Sequence, residues 1–236
     1  MCLTGQEEST RDRLLDAAET LFSDRGFESV GIREIAETAG VNLSGIKYHF
    51  GSKHGLYLET IRRAMDRQGS TEAWALLDAP AGNRERAAQM FRGFVEAFLR
   101  VLLRSDEAGS SVCLVMQSAL DSGEATDVVV REFVEPHHAR LCRFVGQLRP
   151  DATRAERSRA AQSVMALLLH QRLFRPFLDR LDRDARGGGP SDPPGEAEIV
   201  GLAGEIADFA LRGMGCEDLV GRAGAGADGT DQGVHR

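Results

Sequence analysis

Cysteine, aromatic side chains and long apolar runs are all scarce in this chain, and each scarcity excludes a class of protein. The four cysteines, Cys2, Cys113, Cys142 and Cys216, lie far apart with no CxxC pair. That excludes a zinc ribbon or a dithiol redox motif and leaves buried or incidental thiols. No apolar stretch approaches the roughly 18 residues of a membrane-spanning helix. The start, Met1-Cys2-Leu3-Thr4-Gly5-Gln6-Glu7-Glu8, lacks a basic region followed by an apolar one. It does not read as a signal peptide, so a cytoplasmic location and no membrane partner are expected. GxSxG, HExxH, P-loop and dinucleotide fingerprints are missing as well, so neither an enzyme nor a cofactor is expected. His137, His138 and His170 do not make a ligand pattern, so no metal is expected. Positive charge is not in excess either: the formal net charge is -7. This argues against a protein that coats nucleic acid without sequence preference.

What is present is an ordinary globular composition, 42% hydrophobic and 28% charged over 236 residues, enough to bury a sizeable core. The patterning is helical almost throughout, and no alternating apolar run reads as a β-sheet. Leu14, Leu15, Ala18, Leu21 and Phe22 form one stripe, with Thr10 as the expected N-cap and Gly26 as the stop. Short helices follow at Ile32 to Thr38 and Leu43 to His49, then a longer one from Lys53 to about Gln68, capped by Ser52. Asn83 opens a long amphipathic helix to about Arg104. A strongly apolar Ser110 to Leu120 reads as a central helix. Thr126 to Leu148 contains Pro136, which should kink or split it. Thr153-Arg154-Ala155-Glu156 is a capping box for a helix to about Arg183. Four Gly and three Pro in residues 186–195 make a loop, and a last helix runs from Glu196 to Arg212. From Gly215 onward there is little to bury.

The chemistry sits in Gly31 to Val41 and the residues after it. Ile32, Ile35, Ala36 and Ala39 make a short apolar face, and Ala36 is small enough to let a second helix cross closely. Gly40 suits a tight turn, Val41 re-enters the core, and Asn42 caps the next helix, whose Ile46 and Phe50 point inward. Two short helices joined by a Gly-containing turn form a helix-turn-helix, and the second can enter a major groove. Residues 10–67 carry nine Lys or Arg and nine Asp or Glu, so DNA binding must depend on where those charges sit.

Phe22 with Arg25-Gly26-Phe27, Ile32-Arg33-Glu34-Ile35-Ala36, Ala39-Gly40-Val41 and Tyr48-His49-Phe50-Gly51-Ser52-Lys53 resemble, in order and spacing, the N-terminal domain of TetR/AcrR transcriptional regulators. The resemblance spans residues 10–65, about a quarter of the chain. It implies an all-α protein with an N-terminal three-helix helix-turn-helix DNA-binding domain and a C-terminal helical bundle for ligand binding and dimerisation. The expected divisions are a flexible N-terminus (1–9), the DNA-binding domain (10–67), the second domain (68–213) and a disordered tail (214–236). The expected partners are a near-palindromic double-stranded operator, an unknown small molecule that lowers operator affinity, and a second copy of the chain. The expected activity is repression. The alternative is a ligand-binding helical protein with a vestigial helix-turn-helix.

Carried over position by position, Arg33 would reach phosphate or a base edge. Asn42, Leu43, Ser44 and Gly45 lie at the base-reading end of the recognition helix, where Leu43 can touch a thymine methyl. Lys47, Tyr48 and His49 would hold phosphates, and Lys53 adds a charge at the N-terminus of the fourth helix. Three positions depart from the family pattern: Gly31 replaces a Thr or Ser cap, His54 an acidic residue, and Lys47 a frequent Tyr. In the second domain, Phe98, Met116, Gln117, His137 and His170 are the expected ligand-binding residues. Dimerisation is expected through the helices Arg154–Arg183 and Glu196–Arg212, using Ala160, Ala161, Val164, Met165, Leu168 and Leu169 with Ile199, Leu202, Ala203, Ile206, Phe209 and Ala210.

Overall fold

The computed structural model describes residues 9–69, 72–103, 107–120, 123–175, 177, 178, 180, 181 and 194–221, and among these it is all helical. The helices are α1 (Thr10–Ser29), α2 (Ile32–Thr38), α3 (Leu43–Phe50), α4 (Lys53–Gly69), α5 (Glu72–Leu76), α6 (Arg84–Leu102), α7 (Glu107–Leu120), α8 (Glu124–Val129), α9 (Glu135–Leu148), α10 (Arg154–Leu173) and α11 (Glu196–Gly213).

Local signals place most helix ends. The Oδ1 of Asn83 accepts from the Arg86 amide at 2.8 Å. Thr153 and Glu156 satisfy each other's backbone amides in the expected capping box. The cap of α1 is Ser9, whose Oγ accepts from the Asp12 amide at 3.1 Å, one residue before the expected Thr10. Gly26, at φ 75°, breaks α1 where a stop was expected. The expected Pro136 kink takes the form of a π-helical turn, Val130–Val134, between α8 and α9. A proline ring clashes with the carbonyl four residues back, and one widened turn relieves that clash without ending the helix.

Two apolar clusters make the core. In the C-terminal one, Phe91, Phe94, Phe144, Leu168 and Leu211 are fully buried. The N-terminal one contains Leu14, Phe22, Ile35, Ile46, Leu56 and Ile61, and it is completed by Leu114, Val115, Ala125, Val128 and Val129 from α7 and α8. The expected boundary at 67/68 therefore marks a change of role, not a gap in packing.

Several expectations need correction. Phe174 and Phe177, apolar residues near the end of the expected Arg154–Arg183 dimerisation helix, are exposed. The helix expected to run to Arg183 breaks at Phe174, where φ is -99° and ψ 7°, and helical residues resume as far as Leu181. Met214, Cys216 and Leu219 are buried in the bundle, and Arg84 pairs with Asp218 at 3.1 Å. The helical body thus includes residues past 214, the expected start of the tail. These three apolar side chains were discounted because glycines surround them. The rest of that tail (222–236), residues 1–8 of the expected N-terminal arm and residues 186–193 of the expected loop lie outside the described residues.

Candidate nucleic-acid interface and ligand cavity

The turn between α2 and α3 is closed by the Gly40 amide on Glu37 O (3.0 Å) and the Val41 amide on Ala36 O (2.9 Å), with Gly40 at φ 62°. Ile35, Ala36, Ala39 and Ile46 bury the inner faces of both helices. What remains outside is the set expected at DNA: Arg33, Asn42, Leu43, Ser44, Lys47, Tyr48 and His49 are exposed, while Gly45 and Lys53 are half-buried. Tyr48 is 85% exposed, so it contributes nothing to the core. Its ring meets His49 edge-on at 4.9 Å.

Two of these residues also have structural duties. A Cβ on Gly45 would lie 2.8 Å from Val41 Cγ1, so α3 packs against its own entry segment there. Asn42 Oδ1 accepts from both the Ser44 amide and the Ser44 hydroxyl at 3.1 Å. Asn42→Ala is expected to cost about 1 kcal/mol through the lost cap, which thermal denaturation without DNA will measure. An unchanged melting temperature would show that the cap is dispensable.

Charge placement resolves the balanced count. Arg11 pairs with Glu59, Arg25 with Glu34, Arg62 with Glu59 and Glu132, and Arg63 and Arg67 with Asp16 and Glu19. Among the described residues, Arg13, Arg33, Lys47 and Lys53 have no carboxylate partner. Lys53 Nζ sits 4.2 Å from the centre of the Phe27 ring, a cation–π contact. Arg13 was missed in the sequence: its Nη1 lies 3.8 Å from where a Cβ on Gly40 would stand, and its buried Nε has no hydrogen-bond partner. Nothing in the local pattern marks it, because the crossing of α1 over the turn puts it there.

A second feature is a cavity of about 410 Å³ bounded by α5 to α10 and the π turn. Phe98, Met116 and His137 line it as expected, joined by Trp74, Phe133 and His138. The Trp74 and His137 rings are in contact, centroids 4.1 Å apart and planes tilted by 59°. Gln117 is not in this wall: it faces the other side of α7, where its Nε2 donates to Ser23 O at 3.1 Å. His170 is also outside it, exposed on α10 and stacked on Phe174 at 4.8 Å. Both residues sit near apolar positions in sequence, but the helical turn sends their side chains away from the cavity.

His137 Nδ1 lies 2.7 Å from Phe133 O. Burial holds the imidazole below its ordinary pKa; the Phe133 bond and Asp78 oppose this, and Arg140 adds to it. The folded state therefore binds fewer protons than the unfolded one, whose value is about 6.5, so stability rises with pH across that interval. Acidification through about pH 6.5 is expected to lower the melting temperature of the parent more than that of His137→Phe. Parallel melting curves in the two proteins would remove His137 as the cause.

A helix-turn-helix seated on a helical body with an apolar pocket defines a two-domain, all-helical fold class. Comparison with known proteins gives its family. Residues 14–60 match the family model for bacterial regulatory proteins of the tetR family. Residues 87–214, more than half of the chain, match the C-terminal domain of the HTH-type transcriptional dual regulator CecR. The chain belongs to the TetR family of bacterial regulatory proteins. It is 31% identical over 146 residues to the transcriptional activator FasR of Mycolicibacterium smegmatis, covering 57% of this chain and 65% of the relative. It is 31% identical over 113 residues to the repressor KstR2 of the same organism, covering 44% and 52%. The chain thus spans about half to two thirds of these curated relatives. In fold it is similar to a TetR-like regulator from Rhodococcus sp. RHA1 (TM-score 0.58, 22% identity, 87% of this chain and 96% of that one). It is also similar to AibR solved with isovaleryl coenzyme A and operator DNA (TM-score 0.64, 15% identity, 84% and 97%).

Proposed function

We propose that this protein is a transcriptional repressor that binds a near-palindromic operator as a homodimer and releases it when a small molecule fills the cavity. The observation that carries this reading is the outer face of α2 and α3. It gathers Arg33 and Lys47, which lack carboxylate partners among the described residues, with exposed Asn42, Leu43, Ser44, Tyr48 and His49. Phosphate contacts from Arg33, Lys47, Lys53 and Arg13 position the domain, and the first turn of α3 reads bases.

Release is explained by α7, which serves both sites. One face (Val112, Val115, Met116, Ala119) lines the cavity. The opposite face holds the DNA-binding helices: Ser111 donates to Glu19, Gln117 to Ser23 O, and Ser118 shares a 2.9 Å hydrogen bond with Tyr57. A ligand that prefers one position of α7 biases α1 and α4 with it; such couplings run about 1–3 kcal/mol. Among the described residues, no helix is long and apolar enough to cross a membrane.

The dimer is proposed through α10 and α11, as expected, but with only part of the expected residues, Ala160 and Phe209 among them. Ala161, Val164, Leu168, Ala203 and Ile206 are buried within one subunit. The outer surface presents Phe209, 63% exposed, at the edge of an open groove that Ala160 and Leu167 of α10 also line.

The test is a gel shift with DNA flanking the protein's own gene. Saturable, sequence-selective binding supports the reading, and its absence favours a ligand-binding protein with a vestigial helix-turn-helix. Lys47→Ala should weaken binding on every sequence and reduce the salt slope by about one unit. An unchanged slope would make Lys47 an ordinary solvated charge.

A further inference from the structure

The cavity wall restricts the chemistry of its occupant, an inference that rests on the ligand-release reading above. Phe133 O can only accept, so the 2.7 Å contact puts the proton of His137 on Nδ1. Burial shifts the imidazole toward its neutral form, in which Nε2 is a lone-pair acceptor. That atom is buried and has no hydrogen-bond partner, a state that native interiors rarely leave uncompensated.

The rest of the wall is almost entirely hydrocarbon and aromatic. Its other polar side chains already have partners. His138 Nε2 lies 3.3 Å from Ser158 Oγ, and Gln162 Nε2 donates to the same hydroxyl at 3.4 Å. No Arg or Lys is among the described lining residues. A buried carboxylate or phosphate would therefore go unneutralised, which apolar surroundings strongly disfavour. A 150 Å³ apolar cavity holds a benzene ring, so about 410 Å³ has room for roughly sixteen non-hydrogen atoms.

We propose that the cavity binds a neutral, mainly hydrocarbon molecule of about that size, carrying a hydroxyl or amide N–H that donates to His137 Nε2.

The experiment uses the full chain and three probes of matched length: decanol, methyl nonyl ether and decanoate. Binding is read by calorimetry and by the fluorescence of Trp74, the single tryptophan, whose ring touches His137. Decanol should bind about tenfold more tightly than the ether, which has no donor, and decanoate should bind most weakly. In His137→Phe, decanol and the ether should come within about twofold of each other. Equal binding of decanol and ether by the parent, tightest binding by decanoate, or no binding of any probe would overturn the proposal. So would a preference for decanol that survives in His137→Phe. The parent comparison needs no variant, so the test stands even if His137→Phe fails to fold. If decanol binds with the expected preference but leaves operator affinity unchanged, the ligand class holds and the release reading fails.

Discussion

Phe209→Arg is expected to convert the protein to a monomer and to lower operator affinity by at least about a hundredfold, because one recognition helix makes too few contacts for specific binding. Phe209 lies on the outer face of α11, 63% exposed, beside a groove lined by Ala160 and Leu167 of α10. With Ala160 and Leu167 it forms an exposed apolar patch, the kind of surface that marks an interaction site, and a two-fold interface would use each such patch twice. Arginine introduces a charge facing its own symmetry-related copy without disturbing the subunit core. Ala161→Arg and Ala203→Arg would not be clean tests. Both alanines are buried inside the subunit, and a charge there would unfold it. Light scattering gives the mass, circular dichroism the helicity, and a gel shift the affinity. A parent that is already monomeric at micromolar concentration, or a variant that remains dimeric, would end the proposal for this face.

Glu19→Ala is expected to cost about 3 kcal/mol, or roughly 6–12 °C in melting temperature for a chain of this size. The Glu19 side chain is only 6% exposed. It accepts from Arg63 at 3.1 Å and Arg67 at 3.0 Å, and from the Ser111 hydroxyl of α7. Removing one member of a buried ion pair is costly because the partner's charge stays behind, about 3–5 kcal/mol. The low end applies because Arg63 and Arg67 also contact Asp16, and Arg67 is half-exposed. Glu19→Gln keeps the shape and part of the hydrogen bonding, so it should lose less. Since Glu19 joins α1 and α4 to α7, ligand control of DNA binding should weaken in both variants even under conditions where they remain folded. A loss below about 1 kcal/mol in Glu19→Ala would show that solvent already screens the cluster.

The parts of this protein legible in the sequence share one property: their causes lie within a few residues. Asn83 and the Thr153–Glu156 box announce helix starts because capping is a local hydrogen bond. The helix-turn-helix is legible because apolar residues spaced for one face, a glycine in the turn and a capping asparagine all fall inside twenty residues. Its outward side chains follow at once, since burying Ile35 and Ile46 forces Arg33, Ser44 and Lys47 to the other side. The cavity itself was implied by the family resemblance, not by the local pattern, and Phe98, Met116 and His137 are on its wall.

What only the tertiary structure decided depends on contacts between residues far apart in the chain. Gln117 turns toward Ser23, 94 positions away, and no periodicity within α7 says which of its two apolar faces meets the cavity. Met214, Cys216 and Leu219 follow the last helix among glycines, and they are core only because Arg84 and Arg149 hold that segment against the bundle. α10 and α11 each carry apolar residues around much of their circumference, so composition alone does not tell the buried face from the outer one. Arg13 acquires its place beside Gly40 solely from the angle at which α1 crosses the turn. Helix ends and faces are set by local hydrogen bonds and spacing; which face meets which is set by packing against distant partners, and that information resides in the fold.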